Sequence, residues 1–400
     1  MLRDGNDYKG LIQLNRIYIK NAVIHTETDG MIQGSLLVEN QVIKAIYEEE
    51  MTPPQEATVI DGGGRHLIPG FIDGHIHGAA GSDVMDATEE ALDTMAMALP
   101  KEGTTSFLAT TITQAPENTD NALANAAAYE SKRGQAEMIG VHLEGPFIET
   151  SKKGAQPLEH IMEPNTEQFD EWQRLSGNNI KTVTMAPELD KTGEFIRHAA
   201  ASGVNVSAGH TDAGFESIKQ AIPYGLRQVT HLCNAMNGIH HRDIGAVGAA
   251  FQLNELRAEL IADGIHVSPE MLELIFFNMG SERLILITDA MRAKCLQPGY
   301  YDLGGQSVRV TDDRATLHNG SLAGSILKMR DGARQMLRLE NATIGSVVQM
   351  ASENPAKQLN MYHRKGSIKA GKDADLLLVD DDLTVTHTIC RGVLANQEDK

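Results

Sequence analysis

The sequence predicts an α/β protein: a (β/α)8 TIM-type barrel joined to a small β-sandwich domain that both chain ends form. Short β-rich segments ending in polar residues recur eight times between positions 67 and 290, and stretches of helical composition separate them. Strands that alternate with helices pair in parallel through crossover connections, and eight such units favour a closed barrel. A doubly wound open sheet is the alternative. Strand-like runs near both ends predict the small domain.

The eight predicted barrel strands share an apolar or β-branched body and a polar carboxyl end. They are 67–77, 105–111, 138–144, 181–188, 204–210, 227–231, 257–264 and 283–290. Helical composition follows several of them, as in EEALDTMAMALPKEG, ENTDNALANAAAYESKRG and GEFIRHAAASG.

The chain ends differ from this alternation. Residues 14–60 hold alternating or β-branched runs, and similar runs return at 374–380 and 384–395. We therefore expect a small β-sandwich domain of residues 1–65 and 366–400 and a barrel domain of residues 66–365.

Composition limits the function. Lys and Arg number 35 against 54 Asp and Glu, a net charge of -19, which disfavours nucleic acid and anionic membranes as partners. Three scattered cysteines without CxxC spacing argue against a disulfide framework. The sequence has no amino-terminal hydrophobic signal and no run of eighteen apolar residues. These features predict a cytoplasmic protein, in which an anionic ligand needs a local cationic pocket.

The polar strand ends predict a metal site. Active sites of such barrels lie at the carboxyl ends of the strands, where six residues with metal-binding or acid/base side chains are expected to meet. They are His75, His77, Glu144, His210, His231 and Asp289. The i, i+2 spacing of the first pair directs both imidazoles to one side of an extended strand. One histidine at a strand end is more often structural, but six such residues at one barrel mouth favour a zinc, iron or manganese site.

Several segments resemble a known family. PGFIDGHIHG, the aspartate of TDA at 288–290 and GSIKAGKDADLLLVD are similar to the amidohydrolase superfamily of metal-dependent barrel hydrolases. HLEGPF, KKGAQ, SAGHTDA, THLCNAM, ADGIHV and NGSLAGS resemble, more specifically, its amino-sugar-phosphate deacetylases over essentially the whole chain. The resemblance implies hydrolysis of N-acetyl-D-glucosamine 6-phosphate to D-glucosamine 6-phosphate and acetate.

The resemblance also implies roles for the strand-end residues. Glu144, His210 and His231 match the ligands of the principal ion, and Asp289 matches the general acid/base beside a metal-activated water. Family members differ at the HxH pair, and because this chain keeps His75 and His77 we expect capacity for two ions per subunit. An ordinary metal ligand or helix cap is the alternative role for Asp289.

The substrate-binding residues also follow from the resemblance. They are Ala155, Asn234, Ala235, His241, Arg242, His266, Leu322 and Ala323. The position of Arg242 reaches the sugar phosphate of the neighbouring subunit in the family, which implies a homodimer, whereas an ion pair with Asp243 is the structural alternative. Gln156 departs from relatives with histidine there, so it must polarise the substrate carbonyl by hydrogen bonding alone, or a second ion compensates.

Two alternatives to this function remain. One is a related amidohydrolase that acts on N-acetylgalactosamine 6-phosphate or on another amide. Superfamily members that hydrolyse cyclic amides commonly carry a carboxylated lysine on strand four, but here Lys181 begins that strand and Glu188 ends it. The other alternative is a non-catalytic barrel scaffold, which has no need of the metal ligands or Asp289.

Overall fold

The computed structural model describes residues 15–49 and 51–397 and contains the predicted barrel. Eight parallel strands lie side by side in chain order, as expected when each is followed by a crossover connection. The strands are Phe71–Ile76, Thr104–Thr111, Glu137–Glu144, Ile180–Met185, Asn205–Ala208, Leu226–Val229, Arg257–Ile261 and Leu284–Ile287. A parallel bridge between Ile76 and Ala290 brings the first strand beside the end of the eighth. The (β/α)8 prediction is therefore confirmed.

Helices alternate with these strands as the sequence predicts. Several begin at a side chain that caps the first turn: Thr88 accepts a hydrogen bond from Ala91 N, and Ser268 accepts one from Met271 N. The α-helices of the described chain are Glu89–Ala98, Pro116–Ala128, Thr166–Leu175, Glu194–Ala201, Phe215–Ala221, Gly245–Gln252, Pro269–Met279, Met329–Leu337, Ile344–Val348 and Asn354–Gln358. None of the helices in residues 15–49 and 51–397 combines the length and apolar character needed to span a membrane.

Strands from both chain ends form one mixed sheet, which we call the terminal sheet. In spatial order its strands are Val393–Gln397, Val385–Cys390, Leu376–Val379, His66–Pro69, Arg16–His25, Met31–Glu39 and Val42–Tyr47, and Thr58–Asp61 pairs with Arg16–His25. Its buried face is aliphatic, with Ile17, Leu36 and Leu376 in one cluster. The predicted union of the two ends is therefore observed. The domain boundaries stay a prediction, and residues 1–14, 50 and 398–400 of that prediction lie outside the described chain.

The strand predicted at 67–77 is two strands. His66–Pro69 belongs to the terminal sheet, antiparallel to Leu376–Val379, whereas Phe71–Ile76 opens the barrel. The break falls at Gly70, where an added Cβ would lie 2.1 Å from Thr105 Oγ1 of the second barrel strand. This close approach lets one extended run pass from one sheet to the other.

Two short antiparallel insertions were not predicted. Gly78–Ala79 pairs with Ser82–Asp83 after the first barrel strand. Gly299–Leu303, Gln306–Val310 and Ala315–Thr316 form a three-stranded sheet after the eighth, which carries Leu303 to the barrel mouth.

Candidate functional site

The predicted metal-binding and acid/base residues meet at the carboxyl ends of the barrel strands. His75 lies in the first strand and Glu144 ends the third. His210, His231 and Asp289 each stand two residues beyond the ends of strands five, six and eight. These three have φ values of 49°, 29° and 48°, a left-handed backbone uncommon outside glycine. Unusual backbone at three neighbouring strand ends is typical of a functional site.

Glu144, His210 and His231 form one cluster of possible metal ligands. Glu144 Oε1 lies 3.2 Å from Nε2 of each histidine, and the two Nε2 atoms are 3.1 Å apart. Ligands placed about 2.0–2.1 Å from a tetrahedral zinc ion lie about 3.3 Å from one another, so the spacing suits such an ion.

A second cluster adjoins the first. His77 Nε2 lies 3.2 Å from Asp289 Oδ1 and 3.3 Å from Glu144 Oε2. His75 Nε2 is 3.5 Å from Asp289 Oδ1 and 3.4 Å from Glu144 Oε1. Glu144 thus faces both clusters, with Oε1 near His210, His231 and His75 and Oε2 near His77, and could bridge two ions.

The donor set fits divalent metal ions. The Nε2 atom of His75 is buried and makes no hydrogen bond to a described residue. Imidazole nitrogen and carboxylate oxygen are ligands that zinc, iron and manganese accept. A buried nitrogen that makes no hydrogen bond and has carboxylate oxygens 3.4 and 3.5 Å away suits a cation bound between them.

Charge coupling within the clusters is strong. Burial would lower the pKa of His77, but the carboxylates of Asp289 and Glu144 raise it to about 9. Burial would raise the pKa of Asp289, but the imidazoles of His75 and His77 lower it to about 2. Asp289 is therefore a carboxylate at neutral pH and can accept a proton.

Gln156 contacts Glu144 rather than open space. Its Nε2 donates to Glu144 Oε2 at 2.7 Å, and its Oε1 accepts from Thr113 N at 2.7 Å. Both ends of the amide therefore act on protein groups. Gly145 permits this packing, because an added Cβ there would lie 2.1 Å from Thr113 Oγ1. No pattern in the sequence predicts this contact.

A cavity of about 360 Å³ opens over the clusters. It is lined by His77, Ile112, Glu144, Ser151, Lys152, Gly154, Ala155, Gln156, His210, His231, Asn234, Ala235, His266, Asp289, Leu303, Ser321, Leu322 and Gly324. Five predicted substrate residues are among them: Ala155, Asn234, Ala235, His266 and Leu322. Predicted residue Ala323 is buried beside this lining rather than part of it.

His241 and Arg242 lie away from the cavity of their own chain. Both are exposed, and Arg242 Nη1 is 2.7 Å from His241 Nε2. Asp243, the alternative partner of Arg242, accepts a hydrogen bond from Gly245 N. The exposed pair thus projects from the loop after strand six, outside the cavity.

Glu259 is the site residue that the sequence prediction missed. It lies in the seventh strand, 2% exposed, with Oε2 3.0 Å from His75 Nδ1. A glutamate inside the apolar run RAELIADG is the signal that could have identified it, because a buried carboxylate needs a partner.

The chain is similar to known proteins over nearly its whole length. The model of the amidohydrolase family matches residues 66–395. An N-acetylglucosamine-6-phosphate deacetylase of Bacillus subtilis (strain 168) is 46% identical over 383 residues, covering 95% of this chain and 97% of the relative. An N-acetylgalactosamine-6-phosphate deacetylase of Escherichia coli O157:H7 is 35% identical over 373 residues, covering 93% and 97%.

A solved structure is similar in fold over nearly the whole chain. A mutant N-acetyl-D-glucosamine-6-phosphate deacetylase from Mycobacterium smegmatis, in complex with N-acetyl-D-glucosamine-6-phosphate, superposes with a TM-score of 0.87 at 27% identity. The match covers 95% of this chain and 99% of that one. The chain therefore belongs to the amidohydrolase family and, within it, to the N-acetylglucosamine-6-phosphate deacetylases.

Proposed function

We propose that the protein hydrolyses the N-acetyl group of N-acetyl-D-glucosamine 6-phosphate, giving D-glucosamine 6-phosphate and acetate. The observation that carries this proposal is the position of Asp289, a carboxylate that belongs to the second of two adjoining metal-ligand clusters and lines the cavity. Family membership supplies the substrate class.

Glu144, His210 and His231 would hold one divalent ion, and His75, His77 and Asp289 a second that Glu144 also faces. Zinc, iron and manganese all suit these ligands. When bound, the metal would polarise the acetyl carbonyl and lower the pKa of a water molecule.

Asp289 carries the proton transfers in this proposal. Its carboxylate accepts the proton of the attacking water and then delivers it to the departing amine nitrogen, so one group acts as base and as acid. Its low pKa keeps it ionised before the reaction begins. Gln156 holds Glu144 in place through its 2.7 Å hydrogen bond.

We assign substrate binding to the residues that line or adjoin the cavity. Asn234, the backbone of Ala235, and His266 would bind the phosphate side of the sugar, while Ala155, Leu322 and Ala323 would bound its acetyl and ring portion. His241 and Arg242, exposed on their loop, would reach the phosphate in the neighbouring subunit of a homodimer. A guanidinium suits two-point binding of phosphate.

The decisive assay is acetate release by purified protein from N-acetyl-D-glucosamine 6-phosphate, before and after metal stripping. The unphosphorylated sugar and the galactosamine epimer serve as controls. We expect turnover that requires both phosphate and metal. Faster turnover of the galactosamine epimer would shift the proposal to that substrate, and absence of turnover after metal reconstitution would overturn it.

A cytoplasmic setting stays a prediction.

A further inference from the structure

Glu259 is a buried carboxylate without a part in the proposed reaction. Its Oε2 atom lies 3.0 Å from Nδ1 of His75, whose side chain is fully buried. Glu259 also accepts hydrogen bonds from Gln228 Nε2 at 2.6 Å and from His231 N at 3.3 Å. Two hydrogen bonds and the contact with His75 therefore hold the carboxyl group of Glu259 in one position.

A chain of side-chain amides links Glu259 to the opposite end of the barrel. Arg257 Nη1 donates to Gln358 Oε1 at 2.6 Å, and Gln358 Nε2 donates to Asn205 Oδ1 at 2.5 Å. Asn205 Nδ2 then donates to Gln228 Oε1 at 3.0 Å, and Gln228 Nε2 reaches Glu259. We call this set the amide relay.

All four hydrogen bonds of the amide relay point the same way. The guanidinium of Arg257 stands at the donor end and the carboxylate of Glu259 at the acceptor end, with three amide dipoles aligned between them. Aligned hydrogen bonds strengthen one another in a low-dielectric interior, so the relay holds Gln228, and through it the carboxyl group of Glu259, in place.

His75 differs from its neighbours in the acceptor at Nδ1. The Nδ1 atoms of His77 and His210 face backbone carbonyl oxygens, those of Thr110 at 3.2 Å and Lys152 at 2.9 Å. His75 alone of these three faces a carboxylate, while its Nε2 is the buried atom without a hydrogen bond. A carboxylate at Nδ1 fixes the proton there and makes Nε2 a more basic ligand.

We propose that Glu259, held in position by the amide relay, is a positioning residue that keeps the His75 proton on Nδ1 and so determines how tightly the second metal ion binds. This inference rests on the two-ion site of the proposed function. It concerns the ion held by His75, His77 and Asp289 and predicts a smaller effect on the ion of Glu144, His210 and His231, which Glu259 contacts only through the backbone N–H of His231.

Metal binding without substrate tests the inference. Stripped wild-type protein and Glu259→Gln are equilibrated with zinc in a chelator buffer, and the bound ions per chain are counted. Parallel samples are loaded with cadmium-113, whose NMR signals resolve the two positions. We expect two ions in the wild type. In Glu259→Gln, whose amide can donate to Nδ1 and reverse the His75 tautomer, we expect the second ion to bind about 10–100-fold more weakly.

A variant distant from the metal site keeps the inference testable if Glu259→Gln does not fold. Arg257→Met removes the donor end of the amide relay and leaves every candidate ligand intact. We expect it to weaken the second ion about threefold or more. Arg227→Met is the matched control, because Arg227 neighbours Gln228 but donates to the carbonyls of Ile222 and Leu226, outside the relay.

Each outcome of the metal-binding experiment either supports the inference or overturns it. Selective loss of the second ion in Glu259→Gln, or in Arg257→Met alone if the former does not fold, supports the inference. A wild type that binds one ion, equal weakening of both ions, or an Arg257→Met variant identical to Arg227→Met would overturn it. Since no substrate is present, failure of acetate release leaves this result intact and overturns only the proposed function.

Discussion

The left-handed backbone at His210, His231 and Asp289 bears on how the site can be changed. Aspartate and asparagine tolerate this conformation better than other residues with a Cβ, and β-branched side chains tolerate it worst. An Asp→Asn exchange therefore alters the chemistry of the side chain with little added backbone strain. This makes position 289 suitable for a test of catalysis that is separate from folding.

Asp289→Asn is expected to keep the metal ions of the first cluster and to lower kcat at least about 100-fold, because an amide cannot take a proton from water. Acetate release and metal content, measured on the same preparation, check both parts. Asp313→Asn, on an exposed residue paired with Arg314, is the control. A variant with near wild-type turnover would refute the acid/base role.

Gln156→Leu is expected to lower the free energy of unfolding of the metal-free protein by about 2–3 kcal/mol. The change removes a hydrogen bond to the buried carboxylate of Glu144 and leaves Thr113 N without its acceptor. Urea unfolding measures the effect against Gln220→Leu, an exposed helix position. Equal stability of the two variants would show that Gln156 does not hold Glu144.

Among individual residues, the sequence predicted the side chains at the strand ends but not the residues that hold those side chains in place. His75 and His77 stand out because two imidazoles alternate on one strand. Gln156 and Glu259 do not, because the first acts through a loop whose path is set by packing, and the second lies 184 positions after His75 and meets it only when the barrel closes.

Among the secondary-structure elements, the third barrel strand begins at a charged junction with the terminal sheet. Glu137 accepts two hydrogen bonds from Arg364 Nη2 and lies 2.7 Å from Lys365 Nζ, which also pairs with Asp373 and Asp375. The three carboxylates could resemble a metal site, but the lysine ammonium supplies the cation. The junction ties the connection between the two sheets to the barrel wall.

This junction predicts a component of acid sensitivity. Burial would raise the pKa of Glu137, but Lys365 and Arg364 lower it from 4.5 to about 2. Because the folded pKa is depressed, the stabilisation is complete above about pH 4.5 and is lost as the pH falls towards 2, a change of about 3 kcal/mol.

Glu137→Gln isolates this contribution, since the pKa of Asp375 is raised by burial and its effect on stability runs in the opposite direction. We expect the variant to be less stable than wild type at pH 7, with the difference shrinking below about pH 4.5. Denaturant unfolding at a series of pH values measures it, with the exposed Glu216→Gln as control. A difference that is constant with pH would contradict the assignment.

Strand and helix alternation was predictable at this scale because each barrel strand has an apolar body and a clear end. The division of 67–77 was not, because Leu67 to Ile76 is one extended apolar run and only the approach of Thr105 to Gly70 shows where the sheets separate. The hairpins after strands one and eight are two to five residues per strand, too short to leave a periodic signal.

For the whole molecule, the exposed position of Arg242 and the predicted homodimer together predict that two impaired chains can complement each other. In a mixed dimer of Asp289→Asn with Arg242→Ala chains, one site regains both an intact Asp289 and an arginine from its neighbour. We expect such mixtures to recover activity at low substrate concentration, whereas each variant alone is impaired. Acetate release after co-expression and sizing checks this, with mixtures of Asp289→Asn and the exposed Arg314→Ala as control. A monomer, or no recovery, would remove Arg242 from the shared site.

The terminal sheet has a consequence for synthesis of the chain. His66–Pro69 pairs along one edge with Leu376–Val379, which the ribosome adds 310 residues later. At common elongation rates this delay is roughly 15–60 s. During that interval the edge of His66–Pro69 has no partner, and an unpaired edge invites pairing with other nascent chains. Slower synthesis prolongs the exposure, so chaperones that cover nascent β edges should matter more for this protein than for a barrel whose first strands are complete on their own.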